Sequence, residues 1–563
     1  MSDKQMTCIM IIVIIVLIII AICILIYVLI ANANCRTAVR HRRKLPEEAD
    51  VVIVGGGVAG CVLARRLWER YPNKRIVMLE RGDDKRDDPN VYRIEAALNI
   101  VYTAPYSEVI PSDFPGVVCS VANLVGGGSS HNLALAVKGS RRFLEKEWGE
   151  VFHVSDHEWR EIHRRIDARV DITPLPSHLD IAERVGPAIG RLFSSGPREV
   201  LQGINVIQNI GPLRANHDIT EWILCAMTSG RYKLDVVHDY NNGIGPCASS
   251  TPQLFVDRIL GIRASVNRAY LPHRSSSLRV IEYATVNKIK HCDKSHIVKL
   301  KDKRKIRAKK VIMAAGGIHT PFILKKSNIG KHLPIGENLK SHYGCSMILA
   351  VKGTEDFSSG PLAFVSSNND HVRNWQIITS GSTLTNIPFL NAQGVDTQSL
   401  IFDGYKFITF LIWDLRPRAN GSVKVNPDNC KQPVITLELF EHRCDQVSLV
   451  NGLRFLGDIF KRMKRRFPKC ERKDKIKLLF PVEEVFKRNN FDELLANAKT
   501  GVSQTDHYSV TCKYDEVLEH DFSIRGHPDI HVVDASAFPF ILDGNTEYGV
   551  LTVAELAASR IKL

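Results

Sequence analysis

Gly55 and Gly57 lie between an apolar run, Val51 to Val54, and a stretch, Ala59 to Arg70, that has apolar residues at helical spacing and carries Gly60 at its start. Arg75 to Glu80 then reads as a second short strand. Strand, glycine turn, helix and strand in that order form a βαβ unit, which commits the chain to a parallel sheet with covered faces. The first glycine permits a tight turn, the second lets the backbone approach a pyrophosphate, and the third allows helix and strand to pack closely. Free N–H groups at the helix start face the phosphate charge. Glu80 stands 20 residues past Gly60, where a carboxylate accepts from ribose hydroxyls and repels a 2′-phosphate. The unit therefore marks a dinucleotide site. By itself it does not separate FAD from NAD.

The chain has 563 residues, 44% hydrophobic and 24% charged, enough for the cores of more than one domain. Gly149 to Ile262 is mixed and weakly periodic, with a helical candidate at Trp159 to Val170. Strand-like runs return at Leu278 to Lys290 and Val311 to Ala315. Between Gly344 and Ala498 the alternating stretches Phe407 to Trp413 and Val434 to Leu439 fit an antiparallel sheet with one covered face. The expected architecture is a Rossmann-like α/β domain with a doubly wound parallel sheet, built from residues 46–150, 250–343 and 500–563. Interleaved with it is an α+β substrate-binding domain on an antiparallel sheet, residues 151–249 and 344–499.

Ile9 to Ala31 is a 23-residue apolar run. At about 1.5 Å per residue it spans a bilayer core of roughly 30 Å. Residues 1–45 read as a single-pass transmembrane anchor with a basic linker. A cleaved signal peptide ending near Ala31-Asn32-Ala33 is the alternative. Arg36, Arg40, Arg42, Arg43 and Lys44 follow the run, so the positive-inside rule places the large domain on the cytosolic side. The sequon Asn420-Gly421-Ser422 is usable only in the opposite orientation.

The net charge of +15 is scattered, and its densest run, Lys461 to Lys477, follows a helical apolar pattern at Leu449, Leu453, Leu456 and Phe460. That pattern describes a solvated helix end, and no nucleic-acid partner is expected. Thirteen cysteines stand singly, without a C-x-x-C pair or a histidine cluster at ligand spacing. Neither a metal site nor a disulfide framework is expected.

The segment Ala122-Asn123-Leu124-Val125-Gly126-Gly127-Gly128-Ser129-Ser130-His131-Asn132 resembles the first signature of the glucose-methanol-choline (GMC) family of flavin oxidoreductases. The run from Gly316 through Thr320, Pro321 and Ser327 to Gly330 resembles the second, and Leu333 to Leu339 with His342 follows as in the family. His507-Tyr508-Ser509-Val510-Thr511-Cys512, Val533-Asp534-Ala535-Ser536 and Gly544-Asn545-Thr546-Glu547 also fall in family order. The likeness runs from Asp50 to the C-terminus and is weakest in the middle.

This resemblance resolves the cofactor as FAD. It implies that Gly127, Ser129, Asn132, Asp534 and Ala535 contact the cofactor along with the three glycines and Glu80. The loop Gly126 to Ser130 brings unobstructed N–H groups toward a planar ring. His131 matches the histidine that the choline oxidase branch joins to the flavin 8α carbon, which implies a covalent cofactor. A loop histidine that only hydrogen-bonds is the other reading. The implied reaction is oxidation of a CH–OH group of a small alcohol, with hydride passing to flavin N5 and oxygen or a quinone as acceptor. His507 takes the place of the base, and an imidazole suits that role. Glu547 is aligned opposite it, where the family usually has Asn or His, and Val510 stands where the family usually has glycine. These two departures support a second reading, a catalytically silent, membrane-anchored scaffold or interaction protein that retains the fold. Flavin-dependent lyase chemistry is a third.

Overall fold

The computed structural model describes residues 45–563 except 175–216, 467–475 and short stretches at 230–233, 238, 243–244, 250–251, 258–261, 272–276, 293–294, 353–358, 368–371 and 382. The run Ile9 to Ala31 and its basic flank, hence the expected anchor, lie outside the described residues. No helix among the described residues is long and apolar enough to cross a membrane.

The glycine turn belongs to the middle of a parallel sheet. Glu48–Val54 pairs in parallel with Ile76–Leu79 on one side and Lys305–Met313 on the other. Leu278–Ile281 and His527–Val532 extend the two edges, also in parallel. Val51, Val52, Ile53 and Val54 are buried, as are Ile76, Val77, Met78 and Leu79. Such unbroken apolar runs are what a strand covered on both faces requires. The first half of Lys305–Met313 pairs instead with Ser295–Leu300, which continues antiparallel to Val286–Cys292. The run Leu278 to Lys290 is thus two strands, broken around Tyr283, whose φ of 53° turns the chain.

Helix Val58–Arg70 packs against the C-terminal helix Thr546–Arg560. Arg66 Nε donates to Glu555 Oε1 at 2.9 Å, and Glu555 is buried. This charge-assisted pair ties the first helix to the last.

A second sheet is antiparallel throughout. Its centre is the ten-residue pair Tyr343–Lys352 and Tyr405–Asp414. Trp375–Ser380, Ser359–Val365 and Cys247–Ser249 follow on one side, and Ile476–Phe480 and Val502–Gln504 flank the other. Helices His217–Thr228 and Arg443–Arg466 pack with it into one core. Leu449, Leu453, Leu456 and Phe460 are buried on the long helix, while Lys461, Lys464 and Arg465 are exposed at its basic end.

Three sequence assignments change. Val434 to Leu439 is not part of the large sheet: Pro433–Thr436 pairs with Ser422–Val425 in a separate hairpin, docked through Leu339 N–H to the Gly421 carbonyl at 2.8 Å. The segment 151–249 divides between the cores. Helix Asp156–Asp167 buries Trp159, Ile162 and Ile166 in the core of the parallel sheet, whereas Cys247–Ser249 joins the antiparallel one. Val502–Gln504 also pairs in the antiparallel sheet, although it follows residue 500.

Candidate active site

The C-terminal ends of the parallel strands open on a cavity of about 420 Å³, lined by Gly55, Glu80 and Ala315 among others. Ligands of open α/β sheets bind at this edge. Gly55 has a φ of +107°, and a Cβ there would lie 2.3 Å from the Ala314 carbonyl oxygen. A Cβ on Gly60 would lie 2.0 Å from the Gly55 carbonyl oxygen. Both positions are glycine for the chain's own packing. Gly57 differs, because a Cβ there meets only the Gly127 Cα, at 3.8 Å. A Cβ on Gly127, whose φ is +57°, would come within 2.7 Å of Gly57 Cα. The fingerprint and the Gly-Ser loop therefore touch backbone to backbone, with Gly57 and Gly127 both on the cavity wall.

Glu80 accepts from Gly56 N–H at 2.7 Å and Gly82 N–H at 2.9 Å, so it props the glycine turn from the cavity side. Burial pushes its carboxyl upward. Asp534 accepts from Gly316 N–H, the Thr320 hydroxyl and Ser536 N–H at 2.6 to 2.8 Å. It braces the turn that sets Ala535 in the wall. Ser129 donates to the Gly126 carbonyl at 2.8 Å and accepts from Val266 N–H at 3.0 Å. Its hydroxyl is committed within the protein. His131 is buried and lines the cavity, and neither ring nitrogen has a hydrogen-bond partner. Burial holds its pKa down to about 4, so the imidazole is neutral near pH 7.

At the seam between the sheets, His507 Nδ1 and His342 Nδ1 lie 2.9 Å apart with the rings perpendicular. His342 immediately precedes Tyr343–Lys352, and His507 follows Val502–Gln504, which pairs with that strand. Thr505 Oγ1 donates to the His342 carbonyl at 2.8 Å and fixes the two segments together. Asp506 accepts from Ser120 N–H at 2.9 Å, Gln504 Nε2 at 2.7 Å and the Tyr102 hydroxyl at 3.1 Å, which pins the loop beside His507.

The residue opposite His507 is Asn545, not Glu547. Asn545 Nδ2 lies 3.5 Å from His507 Nε2. Asn545 caps helix Thr546–Arg560 with an extended backbone, so its side chain leaves the helix toward the histidine. Glu547 lies inside the first turn and accepts instead from Asn132 Nδ2 at 2.7 Å. The expected carboxylate opposite the base is corrected by this two-residue offset, and Asn545 is the residue type that the family resemblance implies there.

Asn545 Oδ1 accepts from Gln376 Nε2 at 3.0 Å, which turns its amide N–H toward His507. His507 Nε2 is then an acceptor, and its Nδ1–H is the donor to His342 Nδ1. Burial depresses both imidazoles: His342 to about 3, and His507 well below its ordinary value, with His342 adding to the effect. Both rings are neutral near pH 7.

Val510 is buried with a φ of 70°. A β-branched residue in this left-handed region carries a strain of roughly 1–2 kcal/mol. Sequence reasoning marked Val510 only as a departure from the family's glycine, and its larger consequence is backbone strain. It also missed Gln376, which lies in the poorly matched middle. His342 and Asn545 were inside the quoted motifs without a role. Arg81 and His319 also line the wall, and Glu108 pairs with both, with His319 Nε2 3.0 Å from Glu108 Oε2.

The GMC oxidoreductase N-terminal model matches residues 49–344 and the C-terminal model residues 417–554. The chain belongs to the GMC oxidoreductase family. It is 26% identical over 571 residues to an oxygen-dependent choline dehydrogenase of Photobacterium profundum, covering 91% of this chain and 92% of that one. It is 23% identical over 587 residues to pyranose dehydrogenase 3 of Leucoagaricus meleagris, covering 92% and 94%. The crystal structure of pyridoxine 4-oxidase from Mesorbium loti shares the fold, with a TM-score of 0.68 at 18% identity over 91% of this chain and 99% of that one. FAD is the cofactor of this family. The glycine cradle between Gly57 and Gly127 and the unpartnered, buried His131 fit such a group.

Proposed function

We propose that the chain is an FAD-dependent alcohol oxidase or dehydrogenase in which His507 is the general base and Asn545 its partner. The observation that supports this most is the approach of His507 Nε2 and Asn545 Nδ2 to 3.5 Å on the cavity wall. A substrate hydroxyl against this pair donates to Nε2 and accepts from the amide. His507 takes the hydroxyl proton, and Asn545 stabilises the charge left on oxygen. His342 holds the base in the acceptor tautomer. FAD, when bound, supplies the hydride acceptor for the carbon being oxidised. Gly55, Gly57, Gly60 and Gly127 provide its seat. Glu80 is assigned to its ribose and Asn132, Asp534 and Ala535 to its surroundings. The test is anaerobic bleaching of the flavin spectrum by a panel of small alcohols. Bleaching by the parent and its loss in His507→Ala support the reading; a flavin that no alcohol bleaches favours the silent scaffold. That alternative rested partly on a carboxylate opposite the base, and Asn545 occupies that position.

We also propose that His131 carries FAD covalently, supported by its two unpartnered ring nitrogens at the cavity. Flavin fluorescence that stays with the denatured chain and is lost in His131→Ala supports the bond; flavin released by acid from the parent excludes it. Oxygen uptake with peroxide release, measured against quinone reduction, assigns the acceptor. The proposed anchor, Ile9 to Ala31, rests on sequence, and sedimentation with membranes after alkaline carbonate extraction tests it.

A further inference from the structure

Glu547 is a buried carboxyl at the cofactor cavity, apart from the base and its partner. The orientation of its neighbour is fixed from behind. Asn132 Oδ1 accepts from Arg263 Nη1 at 2.9 Å and from Ala134 N–H at 2.8 Å, so the Asn132 amide nitrogen is the group that faces Glu547. It donates to Glu547 Oε2 at 2.7 Å. A proton on Glu547 therefore sits on Oε1, which is buried and has no hydrogen-bond partner. Such an unsatisfied donor is costly unless something in the cavity accepts from it.

We propose that Glu547 serves as a neutral carboxylic acid whose Oε1–H donates to an acceptor on the ring of the bound FAD and couples reduction of that ring to proton uptake. This rests on the flavin site proposed above. Burial raises the Glu547 pKa to about 7, while the Asn132 bond and the Arg263 charge work in the opposite direction. Arg263 is the cation that faces it, and His131 and His507 line the same cavity as neutral imidazoles. A bound ring that took up two electrons and one proton would be an anion, and a neutral carboxylic acid beside it would keep its proton and stabilise that charge through its hydrogen bond. Where Glu547 starts ionised, one further proton from solvent enters Oε1 on reduction. Only an O–H bond forms in the chain.

The test is the midpoint potential of the flavin in the intact holoprotein, measured with a reference dye and a chemical reductant from about pH 5.5 to 8.5, for the parent and Glu547→Gln. The expected result is a slope of potential against pH that steepens above about pH 7 in the parent and stays single in Glu547→Gln, whose amide donates but does not titrate. Equal slopes in the two holoproteins overturn the inference and leave the flavin site standing. So does a change confined to KM for substrate, which would place the acceptor on the substrate. If Glu547→Gln does not fold, an unbroken slope in the parent overturns it alone. A parent without flavin fails the site reading and this inference together.

Discussion

His342 stands behind His507, and the shared Nδ1 contact of 2.9 Å leaves only one arrangement of protons in which both rings are neutral and Asn545 donates to the outer nitrogen. His342 is a positioning residue. His342→Phe removes the acceptor and frees the His507 ring. It should lower kcat roughly 10- to 100-fold, a part of the 10²–10⁴ that a positioned base contributes. KM should change little, and His342→Gln, which keeps an acceptor, should recover part of the loss. Steady-state kinetics of the three proteins check this.

The depressed pKa of His507 has a sign that pH profiles can read. A base held neutral by burial remains competent below the ordinary histidine value, so the acid limb of kcat/KM should lie below pH 6.5. An acid limb at or above that value would assign the limb to another group.

The same burial affects stability. His131, at about 4, and His342, at about 3, bind protons less readily in the folded chain than when unfolded, where the value is near 6.5. Their contribution is complete above the unfolded value and is lost as pH falls toward the folded values. Between pH 6.5 and 4 each should cost up to about 1.4 kcal/mol per pH unit. Urea unfolding of the flavin-free chain across that window measures the slope, and replacing His342 with Phe should flatten it.

Gly57 and Gly127 separate folding from cofactor binding. Gly57→Ala introduces a Cβ that meets only ordinary contact inside the chain, so thermal unfolding without flavin should shift little. Flavin content should still fall, because the added methyl occupies the approach to the pyrophosphate. Gly127→Ala, with its 2.7 Å clash against Gly57, should lose both.

At Val510 two effects nearly cancel. Left-handed strain of roughly 1–2 kcal/mol is relieved in Val510→Gly, while burial of the valine side chain, about 1.5–3 kcal/mol, is lost. The variant should lie between about 0.5 kcal/mol more stable and about 2 kcal/mol less stable than the parent, whereas Val52→Gly in the central strand, where no strain is relieved, should cost more than about 2 kcal/mol. Chemical denaturation of both variants makes the comparison.

The parallel sheet and its turn were legible because strand burial and glycine spacing are local properties, set within residues 51 to 80. The antiparallel sheet was visible as alternation at Phe407 to Trp413, but its partners were not, because alternation does not name the strand across the ladder. Val434 to Leu439 shows the limit: the same pattern serves a small hairpin. Helix Asp156–Asp167 was found as a helix and given to the wrong core, since an amphipathic face does not say which surface covers it. His507 could be singled out from its motif, whereas the residue facing it was displaced by two positions. Helix capping decided that point: Asn545 lies outside the first turn and Glu547 within it. Gln376 carried no sequence pattern at all and was brought in by the register of Trp375–Ser380.

The loop that carries His507 leaves the antiparallel sheet at Gln504, and six residues later its backbone is hydrogen-bonded to Ala535 beside the parallel one. His507, the proposed base, is therefore mounted on neither body alone. A substitution that lets one sheet slide past the other by a fraction of an ångström disturbs the reacting geometry before it loosens either core. Turnover should thus be a more sensitive gauge of that seam than any melting curve.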